Sequence, residues 1–165
     1  MSTKASRTTD LLRPALPEEV EALTDLWYTG WRDGHDGIVP AALYRHRTRP
    51  TFHDRLLTSL SDCFVTGPVG APDGFVRLKG AELDQFYVAP PRRGTGHALT
   101  MMRAAEHLLR GRGVDRAHLI ATAGNDRACR FYDKAGWTWI GPRMEGVETP
   151  EGPFMLEVVR FERDL

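Results

Sequence analysis

The stretch "VAPPRRGTGHALTMM", residues 88–102, decides how this chain is read. An apolar, strand-like run ends at Pro90. Arg92 and Arg93 follow, then Gly94 and Gly96 one residue apart, then a run with helical spacing. A strand, a glycine loop and a helix start together make an anion site. The first N–H groups of a helix lack intrahelical acceptors, and the helix dipole is positive there. Gly94 and Gly96 let phosphate oxygens approach the backbone, and the two arginines offer charge-assisted hydrogen bonds. The predicted ligand is a phosphate or pyrophosphate. A P-loop is excluded, because no Gly-Lys-Ser/Thr follows. The dinucleotide fingerprint is excluded too, because Leu99 stands where its third glycine is required and the loop does not follow a first strand. A plain strand-to-helix turn remains the competing reading of the glycine pair alone.

Working outward, "CFVTG" (63–67), "GFVRLKG" (74–80) and "ELDQFYVAP" (82–90) are short aromatic and β-branched runs between glycines and prolines. They predict an antiparallel meander of three strands. After the glycine loop come a helix from Gly94 to Arg112 and a strand "AHLIAT" (117–122). A second helix covers "NDRACRFYDKAG" (125–136), with Asn125 as N-cap and Gly136 at its stop. "WTWIG" (137–141) and "FMLEVVRFERDL" (154–165) are closing strands. Upstream, "LLRPAL" (11–16) is a short strand. "PEEVEALTDLWYTGW" (17–31) is a helix with Val20, Leu23, Leu26, Trp27 and Trp31 on one face. "RDGHDGIVP" (32–40) is a loop, and 41–60 is a second helical region, interrupted or bent near Pro50. Residues 1–10 are expected to form a flexible tail. Residues 11–165 then make one α/β domain, a mixed sheet of about six to seven strands flanked by about four helices, centred on a β-α-β unit.

Charge narrows the function. Lys plus Arg equals Asp plus Glu, at 22 each. That balance argues against a dedicated nucleic-acid or membrane-surface binder. "RHRTRP" (45–50) and "RGRGVDR" (110–116) accordingly read as a solvated helix face and a helix end. The opening residues contain no apolar leader, and no apolar run approaches the ~20 residues of a membrane span. Cys63 and Cys129 match no metal or redox spacing, so two reduced thiols in a cytoplasmic protein, with no metal, are expected.

The run Val88-x-Pro90-x-x-Arg93-Gly94-x-Gly96-x-Ala98 resembles the signature of the GNAT superfamily, the acyl-CoA-dependent N-acyltransferases. Downstream, Asn125, Ala128, Phe131, Tyr132, Gly136 and Trp137 resemble that family's second signature. The two motifs lie about 30 residues apart in the expected elements, and the likeness runs from about Leu11 to the C-terminus. His97 departs from it, standing where an aliphatic residue is usual; a structural role is expected for its side chain.

The resemblance implies a single-domain GNAT-like fold that transfers an acetyl group from acetyl-CoA to a primary amine by direct attack. Alkylamines with a pKa near ~10.4 are protonated at neutral pH, so the site must remove a proton. The resemblance places Tyr132 near the CoA sulfur as acid. A phenol of pKa ~10 is only slightly weaker than a thiol of ~8.5. Glu82 is the candidate base and Asp84 its rival. Strand alternation puts Glu82, Asp84 and Phe86 on one face and Leu83, Gln85 and Tyr87 on the other. By the same resemblance Phe86, Tyr87 and Val88 line the pantetheine arm. Arg93, Gly94, Thr95, Gly96, His97 and Ala98 hold the pyrophosphate, and Asn125 either contacts the arm or serves only as N-cap. Cys129 would allow an acetyl-cysteine, but no His or Asp is placed in sequence to activate it. The acceptor, a small-molecule or peptide amine, would meet Trp27, Tyr28, Trp31, Arg32, His35 and Asp36, with Trp27 expected to be core. No nucleic-acid or membrane partner is expected, and a homodimer is left open. The alternative function is a catalytically silent acyl-CoA-binding module or sensor.

Overall fold

The computed structural model describes residues 11–165; the tail expected at 1–10 lies outside them. Seven strands form one sheet in the order β1-β2-β3-β4-β5-β7-β6. They are β1 (Arg13–Pro14), β2 (Cys63–Thr66), β3 (Gly74–Lys79), β4 (Glu82–Val88), β5 (Arg116–Thr122), β6 (Thr138–Val147) and β7 (Phe154–Asp164). Every neighbouring pair is antiparallel except β4 and β5. Four α-helices flank the sheet: α1 (Val20–His35), α2 (Arg49–Ser59), α3 (His97–Gly111) and α4 (Asp126–Lys134).

The apolar faces set the layers. Leu23, Trp27 and Trp31 of α1 and Phe52 and Leu56 of α2 pack on Val65, Phe75 and Val158 of the sheet. Met101, Ala105 and Leu109 of α3 cover Leu78, Leu83 and Leu119 with Trp137 and Phe161. A buried carboxylate secures that second layer. Glu106 accepts from Trp137 Nε1 at 3.1 Å and from Arg103 Nη1 at 2.8 Å. Arg163 Nε lies 2.9 Å from the same carboxylate oxygen.

Two local departures from the sequence reading shape the site. The first helix does not end at Trp31 but continues to His35, because Gly34 is tolerated within it and the turn at Asp36 stops it. Pro50 does not bend a helix. It sits in the first turn of α2 behind the cap residue Thr48, where its missing N–H costs nothing, and a separate 3-10 turn covers Ala41–His46.

Strand β4 carries the decisive irregularity. It pairs with β3 at Arg77↔Gln85 and then at Leu78↔Leu83, which leaves Asp84 as an extra, bulged residue. A bulge resets the two-residue period. Leu83 and Phe86 therefore share the α3/α4 face, while Gln85 accepts from Trp27 and Tyr87 packs on α1. The alternation read from the sequence is corrected accordingly: Phe86 does not share a face with Asp84. On its other edge β4 meets β5 at Glu82↔His118 alone. Beyond that pair the two parallel strands diverge, and the sheet opens.

Candidate active site

The opening between β4 and β5 is a cleft of about 530 Å³. Its walls come from β4, β5, α1, α4 and the chain before α3. The loop 93–96 stands at one mouth. Gly94 has φ +73° and Gly96 φ +85°, left-handed values that favour glycine, and a Cβ at either would meet open space rather than protein. Among the described residues, the backbone N–H groups of Gly94, Thr95, Gly96, Ala98 and Leu99 find no acceptor in the chain. The fit to an anion therefore rests on backbone donors at the start of α3.

The two arginines of this loop already have carboxylate partners. Arg92 Nε lies 3.0 Å from Asp73, and Arg93 Nη2 lies 3.0 Å from Asp33 while its Nε donates to Val88 O. His97 turns inward, with Nε2 3.0 Å from Thr66 Oγ1 and 3.4 Å from Asp73 Oδ1. Asp73 thus braces the loop from behind through both Arg92 and His97. The side chain of His97 is structural, and its backbone N–H donates to Thr95 Oγ1 at 3.4 Å.

Tyr132 of α4 projects into the cleft beside Phe131, which stacks on Phe86 with ring centroids 5.5 Å apart. Tyr132 itself packs on Phe161 at 5.6 Å. Its phenol has no hydrogen-bond partner among the described residues, and burial pushes its pKa upward. Tyr87 also enters the cleft. Gly30 of α1 makes its room: a Cβ there would come 2.6 Å from the Tyr87 ring. Burial raises the Tyr87 phenol as well, with the Tyr132 phenol adding to the effect. Asn125 caps α4 by accepting from Ala128 N at 3.3 Å, and its amide nitrogen faces Gly34. The capping role is met in full, and the side chain also lies on the cleft wall.

The two carboxylates of β4 differ. Asp84 is held by Arg77 Nε and touched by Gln85 Nε2. Among the described residues Glu82 has no such clamp: its nearest basic group is His118 Nε2 at 3.9 Å, an imidazole whose pKa burial lowers. Burial raises the Glu82 pKa above the usual carboxylate value, and neighbouring Asp84 adds to the rise. Both carboxylates line the cleft. Cys129 carries no activating partner, and burial raises its thiol.

Of the expected acceptor residues, Trp31 and His35 line the cleft. Trp27 is fully buried in the core. Arg32 and Asp36 pair with each other on the outside of α1, and Arg32 also donates to Tyr28. The charged cleft residues that were missed include Arg47, Arg55 and Glu148. Arg47, read as part of a solvated basic run, is only 5% exposed. The sequence held one signal for Arg55. It interrupts the apolar stripe of α2 between Phe52 and Leu56, where a charged residue needs a reason.

Among the described residues, a mixed sheet splayed at its one parallel junction thus forms a cleft with free backbone donors at its mouth and a phenol inside. The family model for the acetyltransferase (GNAT) family matches residues 20–137. The chain belongs to that family and is an N-acetyltransferase. No curated protein matches it by sequence. Solved structures share the fold. One is a GCN5-related N-acetyltransferase from Rhodopseudomonas palustris, 23% identical, with TM-score 0.71 over 93% of this chain and 94% of the other. Another is a ribosomal-protein-alanine N-acetyltransferase from Brucella melitensis, 18% identical, TM-score 0.67, over 94% and 99%. A third is the PaiA N-acetyltransferase from Thermoplasma acidophilum in complex with coenzyme A, 16% identical, TM-score 0.64, over 93% and 98%.

Proposed function

We propose that this enzyme moves the acetyl group of acetyl-CoA directly to a primary amine, on a small molecule or a peptide, in the cleft between β4 and β5. The splayed strands carry the proposal. They leave unpaired backbone edges beside Phe86, Tyr87 and Val88, where the amides of a pantetheine arm would pair as an added strand. The free N–H groups of Gly94, Thr95, Gly96, Ala98 and Leu99 support pyrophosphate binding, with Arg93 as a positioning cation held by Asp33. A backbone N–H near Tyr87 or Val88 meets the thioester oxygen as charge develops there. Tyr132 donates its proton to the departing thiolate. Its position supports that role: the phenol lines the cleft with its hydroxyl uncommitted to any described residue. Burial raises the phenol pKa, which makes it a weaker acid than a solvated tyrosine, so the positive charge or dipole around the bound thioester must offset that rise.

Glu82 takes the proton from the acceptor ammonium. From Glu82 to Tyr87 the strand runs roughly 16 Å, at ~3.3 Å per residue, so the transfer passes through water. Its raised pKa sets a test. A base works only after losing its own proton, so kcat/KM should climb with pH through the Glu82 pKa, in a limb displaced above the ordinary carboxylate range. Glu82→Gln should erase that limb and lower the rate, leaving only the climb due to the amine itself. If neither Glu82→Gln nor Asp84→Asn alters the limb, the base is elsewhere or is water alone.

Two free cysteines, Cys63 and Cys129, fit a reducing compartment, and a cytoplasmic location is part of the proposal. No observation favours the silent binding module. Calorimetry with acetyl-CoA, followed by thiol release against a panel of primary amines, tests the reading. Binding followed by amine-dependent release supports it; binding with no release for any amine turns the protein into a sensor.

A further inference from the structure

The inner end of the cleft holds cations without enough anions. Arg47 is 5% exposed, and its one hydrogen bond runs from Nη1 to the neighbouring His46 carbonyl at 3.1 Å. Among the described residues no carboxylate lies within ion-pair distance of it. Arg55 stacks on the Trp27 ring at 4.4 Å, and its buried Nε has no hydrogen-bond partner. The carboxylate nearest to Arg55 is Glu148, 3.9 Å from Nη2. That carboxylate is already shared, with Arg77 Nη2 at 3.3 Å and Lys79 Nζ at 3.6 Å. Asp84, the other local anion, is taken by Arg77. The Arg55 and Arg77 guanidiniums and the Lys79 ammonium thus share Glu148 and Asp84, and Arg47 has neither within ion-pair distance. A buried cation without a partner is costly and is retained where something else supplies the partner.

We propose that Arg47 and Arg55 bind a carboxylate on the acceptor, so that the substrate class is a small amine bearing a carboxylate, of the amino-acid kind. This rests on the acetyl-transfer reading above and names its substrate. Three observations converge on it. Arg47 and Arg55 both line the cleft. A guanidinium fork matches the two oxygens of a carboxylate, and a carboxylate supplies the partner that Arg47 and the buried Arg55 Nε lack among the described residues. The placement also suits the chemistry. Tyr87 and Tyr132 line the same cleft as the two arginines. A carboxylate at the arginines keeps the amine of the same small molecule within that cleft. Simple alkylammonium ions and polyamines, lacking the anion, meet repulsion instead.

The test compares thiol release from acetyl-CoA with the twenty standard amino acids, their α-carboxamides and phosphoethanolamine. At least one amino acid should exceed its own carboxamide in kcat/KM by about tenfold or more. Arg47→Gln and Arg55→Gln should collapse that ratio, chiefly through KM for the acid, and Arg47→Lys should restore part of it. The acid-to-amide ratio is internal to each variant, so partial loss of folded protein does not distort it. Carboxamides equal to or better than the acids, a ratio that survives both Gln substitutions, or preference for phosphoethanolamine would each overturn the proposal. So would acetyl-CoA binding by calorimetry without transfer to any amino acid, a result that leaves the cofactor reading standing. Absence of acetyl-CoA binding removes the reading beneath it as well.

Discussion

Tyr132→Phe is expected to lower turnover by roughly 10² to 10⁴, the usual contribution of a positioned general acid. The substitution keeps the ring, and with it the packing on Phe131 and Phe161. The hydroxyl it removes has no protein partner among the described residues, so no buried group is orphaned and stability should change little. Acetyl-CoA affinity should change far less than turnover, because the ground-state thioester needs no proton. A loss confined to kcat is the mark of an interaction made in the transition state. An equal loss in affinity and turnover would instead make Tyr132 a wall of the cofactor site. Near-normal turnover in Tyr132→Phe would remove it from the mechanism.

The second large effect belongs to Gly96. With φ +85°, the position disfavours any side chain by about 1–2 kcal/mol. Gly96→Asp adds a negative charge where the pyrophosphate is proposed to sit, and CoA affinity should fall by at least tenfold, about 1.4 kcal/mol. Gly96→Asn separates the causes. Asn tolerates the left-handed conformation, has nearly the shape of Asp and carries no charge. Its effect on binding should be clearly the smaller one. A folded Gly96→Asp variant with unchanged CoA affinity would show that the loop at 93–96 does not hold the phosphates.

The fold was legible because local signals agreed with one another. The run of short strands from Cys63, the Gly94–Gly96 pair and the Asn125 cap each mark an element boundary, and the structure places β2, β3, β4, α3 and α4 where those marks stand. Of the cleft, only the backbone features were legible. A glycine pair before a helix announces left-handed turns and free N–H groups because both are local properties. The bulge at Asp84 gave no such notice. It depends on pairing between β3 and β4, and it moved Phe86 to the opposite face from the one alternation assigns. Arg47 and Arg55 were hidden for a related reason. Each belongs to a polar, charged stretch, and only the packing of α1 and α2 over β4 turns them inward. His97 shows the reverse case: its departure from the family pattern is explained by a purely structural bond to Thr66 and by Asp73, which also holds Arg92.

Direct transfer of acetyl from CoA to an amine is tested most directly by intact-mass spectrometry of the enzyme quenched during turnover. The protein should retain its unmodified mass throughout, while the acceptor gains one acetyl group for each CoA thiol released. Accumulation of a singly acetylated protein, located at Cys129 and lost in Cys129→Ala together with activity, would contradict the account and put a covalent route in its place.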